Sequence, residues 1–136
     1  MYRLVYVSTA VEGLGDGDIE TILNESQSNN DERYITGFLA HNGRFFMQAL
    51  EGERSEVVDI YDRIVRDKRH FGVAQIIGEP IEQRAFPDWS MNYHRVDDEE
   101  GSSTMVIRND DSVDALLNPS MPRDLLYLFS KFLRMR

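Results

Sequence analysis

The sequence predicts an α+β fold, a ferredoxin-like βαββαβ sandwich with an added fifth strand. Three observations predict it. Short runs with the two-residue period of strands alternate with two longer runs of helical period. An Asn-Gly pair joins the two middle strand runs, as in a β-hairpin. The last run is too apolar to stand alone, so we expect the two main helices on one sheet face and the C-terminal helices on the other.

Composition restricts the class of protein. The chain has 136 residues, of which 41% are hydrophobic, and this suits one domain with a compact core. It has no cysteine, which excludes disulfides, thiolate nucleophiles and cysteine metal sites. A net charge of −9 disfavours nucleic acid as a partner. The N-terminus is strand-like and too short for a signal peptide, and no apolar run approaches the roughly 20 residues of a membrane span, so we expect a cytoplasmic protein with no membrane partner.

The first two elements are a strand and a helix. The strand pattern runs from Leu4 to Ser8, and Tyr6 within it suits either a core position or a functional phenol. The helical pattern that follows ends at about Ser28, where four residues in a row prefer caps and turns to helix interiors. Asn29 and Asn30 either cap this helix or offer their amide groups to a ligand.

The hairpin is the strongest local signal. The runs Ile35–Ala40 and Phe45–Leu50 flank an Asn-Gly turn, and both turn residues tolerate positive φ. Alternation in the second strand places Gln48 on one face, between Phe46 and Leu50. If that face is the core, the Gln48 amide needs partners, because an unpaired buried amide costs about 1–3 kcal/mol. Backbone groups or water are the ordinary partners.

A second helix is predicted from Glu56 to Lys68, with Ser55 as its cap. Basic residues crowd its last turn and the positions after it. This cluster either complements the negative end of the helix dipole or forms a site for an anion or the edge of a flavin. Its members are Arg63, Arg66, Lys68, Arg69 and His70.

The remaining pattern contains two strands and two helices. A strand from Val73 to Ile77 is expected to end at Gly78, and a half-buried strand runs from Trp89 to Tyr93. A short helix near 113–117 and a final helix from Pro122 to Met135 follow a polar loop. We therefore expect a folded unit of residues 1–96, followed at 97–136 by a loop and helices that pack on the sheet or on a partner.

Five short motifs, taken together, resemble the BLUF family of blue-light sensors that use FAD. The resemblance covers about Met1 to Tyr93, in order and at the usual spacing, and it is similar to the short type with no fused catalytic domain. It implies a photosensor that is not an enzyme, with FAD as cofactor and FMN as a possible substitute. The motifs are Tyr6–Ala10, Asn29-Asn30, Ile35–Leu39, Phe46–Gly52 and Trp89–Met91.

The resemblance also assigns roles to single residues. It implies that Tyr6 bonds Gln48, which contacts the flavin ring, and that light drives an electron and a proton from Tyr6 through Gln48 and so switches the hydrogen bonds around the flavin. It implies further cofactor-binding residues, namely Asn29, Asn30, Arg63, Arg69 and His70. It implies signalling positions at Trp89 and Met91.

The expected output is a signal through the sheet and the C-terminal helices to an unidentified downstream protein, with a homo-oligomer, preferably a dimer, as the assembly. The alternative is a ferredoxin-like interaction module without a cofactor, in which Tyr6, Gln48 and Trp89 are core residues. A small hydrolase built on His41, His70 or His94 has no supporting nucleophile or metal motif.

Overall fold

A computed structural model of the protein describes residues 1–85, 92–96, 106–107 and 122–134. Within these residues six strands and three helices follow one another along the chain. They are β1 (Tyr2–Ala10), α1 (Asp16–Glu32), β2 (Thr36–His41), β3 (Phe45–Gly52), α2 (Arg54–Arg66), β4 (His70–Pro80), β5 (Asn92–Val96), β6 (Val106–Ile107) and α3 (Arg123–Arg134).

The strands form one sheet in the order β4-β1-β3-β2-β5-β6. The three pairings among β4, β1, β3 and β2 are antiparallel, whereas β5 lies parallel to β2 and β6 lies parallel to β5. The predicted α+β fold is therefore confirmed. The structure adds a sixth strand to the predicted five: β6 contains only Val106 and Ile107, too few residues to show a strand period in the sequence.

The two faces of the sheet carry separate cores, as alternation predicted. Phe46 and Leu50 of β3 pack with α1 and α2 on one face, while Met47 and Ala49 pack with α3 on the other. The helix residues buried against the first face are Ile19, Val57 and Ile60. Those buried against the second face are Leu125, Phe129 and Phe132.

The end of α1 differs from the prediction. The helix continues through Asn29 and Asn30 to Glu32. Its last turn closes where the carbonyl oxygen of Asn30 accepts the N–H groups of Arg33 and Ile35, at 3.1 and 2.9 Å. Tyr34 between them takes the left-handed conformation, with φ 55°. Glycine normally marks this position, and its absence hid the helix end from the sequence pattern.

The predicted bounds of α2 and β4 also need correction. α2 begins at Arg54, so Ser55 is not its cap, and the residue before it, Glu53, makes no side-chain capping bond. β4 starts at His70 and continues through Gly78 to Pro80. A side chain at Gly78 would collide with the Tyr2 hydroxyl and the Gln75 amide, so this glycine permits a close approach and does not end the strand.

The C-terminal helix covers the second sheet face. The Phe129 ring meets the Phe38 ring of β2 edge-on, with 4.9 Å between centroids. The side-chain amide of Asn42, in the hairpin turn, donates to the carbonyl oxygen of Phe132 at 3.4 Å. The predicted positions of Trp89, Met91 and the short helix near 113–117 lie outside the described residues.

Candidate functional site

Tyr6 and Gln48 meet on the sheet face that α1 and α2 cover. They are directly opposite each other in the antiparallel pairing of β1 with β3. Cross-strand neighbours of this kind point to the same face of the sheet. The Tyr6 hydroxyl donates a hydrogen bond to Oε1 of Gln48, and both side chains are buried. The sequence therefore supplies Gln48 with the buried partner that its amide requires.

This pair forms the floor of a pocket. The pocket opens between the two helices, with Ile22 and Ser26 of α1 on one side and Ile64 of α2 on the other. Its lining is mostly apolar with a few polar groups, which is typical of a site for a flat organic ligand. The lining residues are Tyr6, Ile22, Ser26, Leu39, Phe46, Gln48, Ile64, Asp67 and His70.

Burial keeps the phenol of Tyr6 protonated. Loss of solvation raises the pKa of Tyr6 far above its ordinary value of 10.0, and negative charge on Tyr61 or Asp67 would raise it further. Tyr6 is therefore a hydrogen-bond donor at every physiological pH.

A carboxylate and its cation lie at the rim of the pocket. Nε of Arg69 lies 2.9 Å from one Asp67 oxygen and Nη2 lies 2.5 Å from the other. Arg69 holds the pKa of Asp67 below its usual range, so the pair is an ionised one. Nη2 also reaches Glu25 of α1 at 2.8 Å, which ties the start of β4 to that helix. Arg69 itself is not a lining residue of the pocket.

His70 lines the pocket with its ring while both ring nitrogens bind protein atoms. Nε2 lies 2.6 Å from the carbonyl oxygen of Ile64, and Nδ1 lies 2.7 Å from Oγ of Ser8. A carbonyl oxygen only accepts, so Nε2 carries a proton, and in the neutral ring Nδ1 accepts from the Ser8 hydroxyl. The ring stands edge-on to Tyr6 at 6.3 Å. His70 thus forms a fixed wall of the pocket.

The other residues with assigned roles occupy different places. Asn30 is buried on α1 one turn beyond Ser26, on the helix stripe that faces the pocket. Asn29 is exposed. Arg63 lies outside the pocket with 59% of its side chain exposed, 3.8 Å from Asp59 of the same helix. Trp89 and Met91 lie outside the described residues.

Sequence reasoning missed four residues of the site. Ser26 and Ile64 had a usable signal, because each falls on the buried stripe of a predicted amphipathic helix. Asp67 and Ser8 had none. Asp67 stands inside a basic run, and its ion pair with Arg69 depends on how the chain turns after α2. Ser8 acquires its role from a histidine 62 positions away.

Comparison with known proteins identifies the family of the chain. A family model described as "Sensors of blue-light using FAD" matches residues 1–92. The chain belongs to the BLUF family. Its cofactor is therefore FAD, and the BLUF domain is a blue-light sensor module. The α+β fold of the family accounts for the sheet and for the two helices beside the pocket.

The relatives of this BLUF protein include sensors joined to other domains. The photoactivated adenylate cyclase subunit beta of Euglena gracilis is 34% identical over 89 residues, which are 65% of this chain and 10% of the relative. The chain thus spans about a tenth of the length of this curated relative. The blue light- and temperature-regulated antirepressor BluF of Escherichia coli K12 is 28% identical over 104 residues, 68% of this chain and 26% of the relative.

Solved BLUF structures share the fold. The dark state of BlrB is 36% identical with a TM-score of 0.67, and the match covers 69% of this chain and 71% of BlrB. The photo-activated state of BlsA is 25% identical with a TM-score of 0.71, and the match covers 99% of this chain and 95% of BlsA. The BlsA match therefore extends over the C-terminal region as well as the pocket.

The pocket fits a flavin ring. The apolar side chains of Ile22 and Ile64 face each other from the two helices, and the floor presents the buried amide of Gln48. A flat aromatic system with polar edges requires this combination of apolar walls and few polar groups. No helix of the described residues is long and apolar enough to cross a membrane.

Proposed function

We propose that this chain is a blue-light photoreceptor in which Tyr6 and Gln48 form an electron and proton relay next to the flavin. One observation carries the proposal: the Tyr6 hydroxyl is bonded to the Gln48 amide on the floor of the pocket, and nothing polar separates the two groups. Membership of a family that uses FAD supports flavin at this pocket. We take the chain to act there as a switch and not as an enzyme, since the relay returns to its starting redox state.

FAD held beside Gln48 in this pocket would supply the chromophore for blue light and the acceptor for one electron and one proton. Tyr6 supplies both, because its raised pKa prevents it from losing the proton alone. The Tyr6 proton moves to Oε1 of Gln48, and Gln48 passes on a proton from Nε2, since an amide has an acceptor at one end and donors at the other. The return transfer restores the Tyr6 phenol and leaves the Gln48 side chain rotated or as its tautomer.

Gln48 is well placed to pass this change to the other side of the sheet. Its neighbours on β3, Met47 and Ala49, point to the opposite face and are buried in the core that contains Phe129 of α3. A shift of β3 displaces residues in both cores, because protein interiors are close-packed. The signal then reaches α3 and the segment with Trp89 and Met91.

The receiver of the signal is a downstream protein or a second copy of this chain, with a dimer preferred. α3 supports this because its inner residues are buried while Tyr127, on its outer side, is 66% exposed. The sensor modules of relatives stand next to effector domains, as the photoactivated adenylate cyclase of Euglena gracilis shows by its name. We assign this chain the same kind of output, to a separate partner.

The visible absorption spectrum of the purified protein tests the proposal. The protein is recorded in the dark, under blue light and during recovery. We expect flavin bands that shift slightly to longer wavelength in the light and return in the dark. Flavin bands that do not shift would contradict the relay, whereas a colourless protein that stays colourless after FAD is added would contradict flavin binding itself.

A further inference from the structure

A buried ion pair lies on the sheet face opposite to the pocket. Nε of Arg3 on β1 is 2.7 Å from Oε2 of Glu51 on β3, and the two side chains are 6% and 0% exposed. The two residues are cross-strand partners. Arg3 also reaches Glu79 of β4 at 3.0 Å, so one guanidinium joins three neighbouring strands.

The same carboxylate holds the chain that leaves β4. Oε1 of Glu51 accepts the backbone N–H of Ala85 at 2.8 Å. The adjacent Arg84 side chain donates to the carbonyl oxygen of Glu51 at 2.8 Å and to the carbonyl oxygen of Tyr34 at 2.7 Å. It also donates to the Thr36 hydroxyl at 2.8 Å. We call the set Arg3, Glu51, Arg84 and Ala85 the Glu51 clasp.

The clasp lies on the connection between β4 and β5, which join the sheet at different positions. β4 is at one edge of the sheet, and β5 joins beside β2 on the far side of β1 and β3. Between Pro80 and Asn92 the chain must therefore pass across three strands. The clasp fixes residues 84–85 to the end of β3 and the start of β2 along this passage. The next residue that the structure describes is Asn92, which pairs with Phe38 of β2.

The chemistry of the clasp suits a rigid joint. Charges are buried in proteins at a large solvation cost, which only good geometry and further hydrogen bonds offset. Both oxygens of the Glu51 carboxylate have a protein donor, one from Arg3 and one from Ala85. A carboxylate held from two sides cannot rotate away, so a displacement of β3 moves Ala85 with it.

We propose that Glu51 and Arg84 are positioning residues that couple β3 to the segment 86–91, which lies between Ala85 and β5. Gln48 is three residues before Glu51 on the same strand. A rearrangement of Gln48 that shifts β3 is carried by the clasp to the start of segment 86–91. This inference rests on the proposed function, because it takes the Gln48 switch as its input.

The only tryptophan of the chain, Trp89, lies within that segment and provides a direct signal. The experiment measures two quantities in the full chain with FAD bound. The first is the red shift of the flavin bands, which reports on the pocket. The second is the change in acrylamide quenching of Trp89 fluorescence between dark and light, which reports on segment 86–91.

The main variant is Arg84→Gln, because Arg84 is partly exposed and its loss leaves the buried ion pair intact. Glu51→Gln is the second, since the new amide oxygen still accepts from Ala85 but the charge opposite Arg3 is gone. Arg66→Gln is the matched control, an exposed arginine on α2 outside the pocket and the clasp.

We expect wild type and Arg66→Gln to show the red shift and a light-dependent change in Trp89 quenching. Arg84→Gln should keep the red shift while its change in quenching falls about fivefold or more, the size of a typical lost coupling. An unchanged quenching response in Arg84→Gln would overturn the inference, as would a red shift in wild type without any Trp89 response. Absence of the red shift in wild type would instead overturn the proposed function, and this inference with it.

Discussion

Tyr6 and Gln48 contribute different chemistry to one hydrogen bond. Tyr6 is the donor and, being buried, keeps its proton until it loses an electron. Gln48 is the group that can change, because its amide can bond through either end. A glutamate or a leucine at position 48 lacks one or both of these functions. The proposed relay therefore depends on these two side chains and not on the shape of the pocket alone.

Replacing Tyr6 by phenylalanine removes one oxygen atom and so tests the donor role of Tyr6 in the proposed relay. Tyr6→Phe removes the donor hydroxyl but keeps the ring, so we expect FAD to remain bound and the reversible red shift to disappear. The matched control is Tyr61→Phe, because the Tyr61 ring is 5.6 Å from the Tyr6 ring and its hydroxyl is outside the relay. Visible spectra in the dark and in blue light measure both variants. A normal shift in Tyr6→Phe would refute the relay.

The end of α1 shows how an element can be held in place without a strong sequence signal. Tyr34 adopts φ 55° although it has a side chain, and that side chain is 83% exposed. Its carbonyl oxygen accepts from Arg84 and the carbonyl oxygen of Asn30 accepts from Ile35. These tertiary bonds stabilise a conformation that costs an ordinary residue about 1–2 kcal/mol.

Glycine at this position should therefore stabilise the protein. We expect Tyr34→Gly to raise the free energy of unfolding by about 0.5–1 kcal/mol, since glycine adopts the left-handed conformation without strain but loses more entropy on folding. Urea unfolding followed by circular dichroism measures the change. Tyr34→Ala serves as the control, because it removes the exposed ring and keeps the backbone strain. A lower midpoint for the glycine variant than for the alanine variant would contradict the explanation.

Helices and strands that follow from a local residue pattern could be predicted from the sequence. The residues at which they end often could not. The hairpin follows from Asn42-Gly43, where Gly43 has φ 94°, and from the alternation of β3. The continuation of β4 through Gly78 depends instead on the positions of Tyr2 and Gln75, which no local pattern contains. The end of α1 at Tyr34 is of the same kind.

At the scale of the whole molecule, one sheet separates two hydrophobic cores, and the pocket lies on only one of its two faces. The pocket and its relay lie on the face of α1 and α2, and α3 covers the other face. Alternation along β3 predicted this separation, and it placed Gln48 among apolar residues. The sequence could not reveal the Ser8–His70 bond, because its two residues are 62 positions apart. It could not reveal the Asp67–Arg69 pair either, because that contact depends on how the chain turns after α2.

Substitution of Phe129 tests the separation. The Phe129 ring is fully buried against Phe38 on the face away from the pocket. We expect Phe129→Ala to lower the free energy of unfolding by about 3–5 kcal/mol, through lost burial and the cavity that remains, and Phe129→Leu to lower it less. Tyr127→Ala, on the exposed side of the same helix, should change the free energy of unfolding by less than about 0.5 kcal/mol.

Urea unfolding measures these losses of stability in the Phe129 variants and in Tyr127→Ala. The light-induced red shift of each variant is recorded at urea concentrations below its unfolding transition. The folded fraction of every variant should keep the wild-type shift, because the Tyr6 and Gln48 side chains point to the opposite face of the sheet. A smaller shift in folded Phe129→Leu would show that the two faces are coupled in the dark state already.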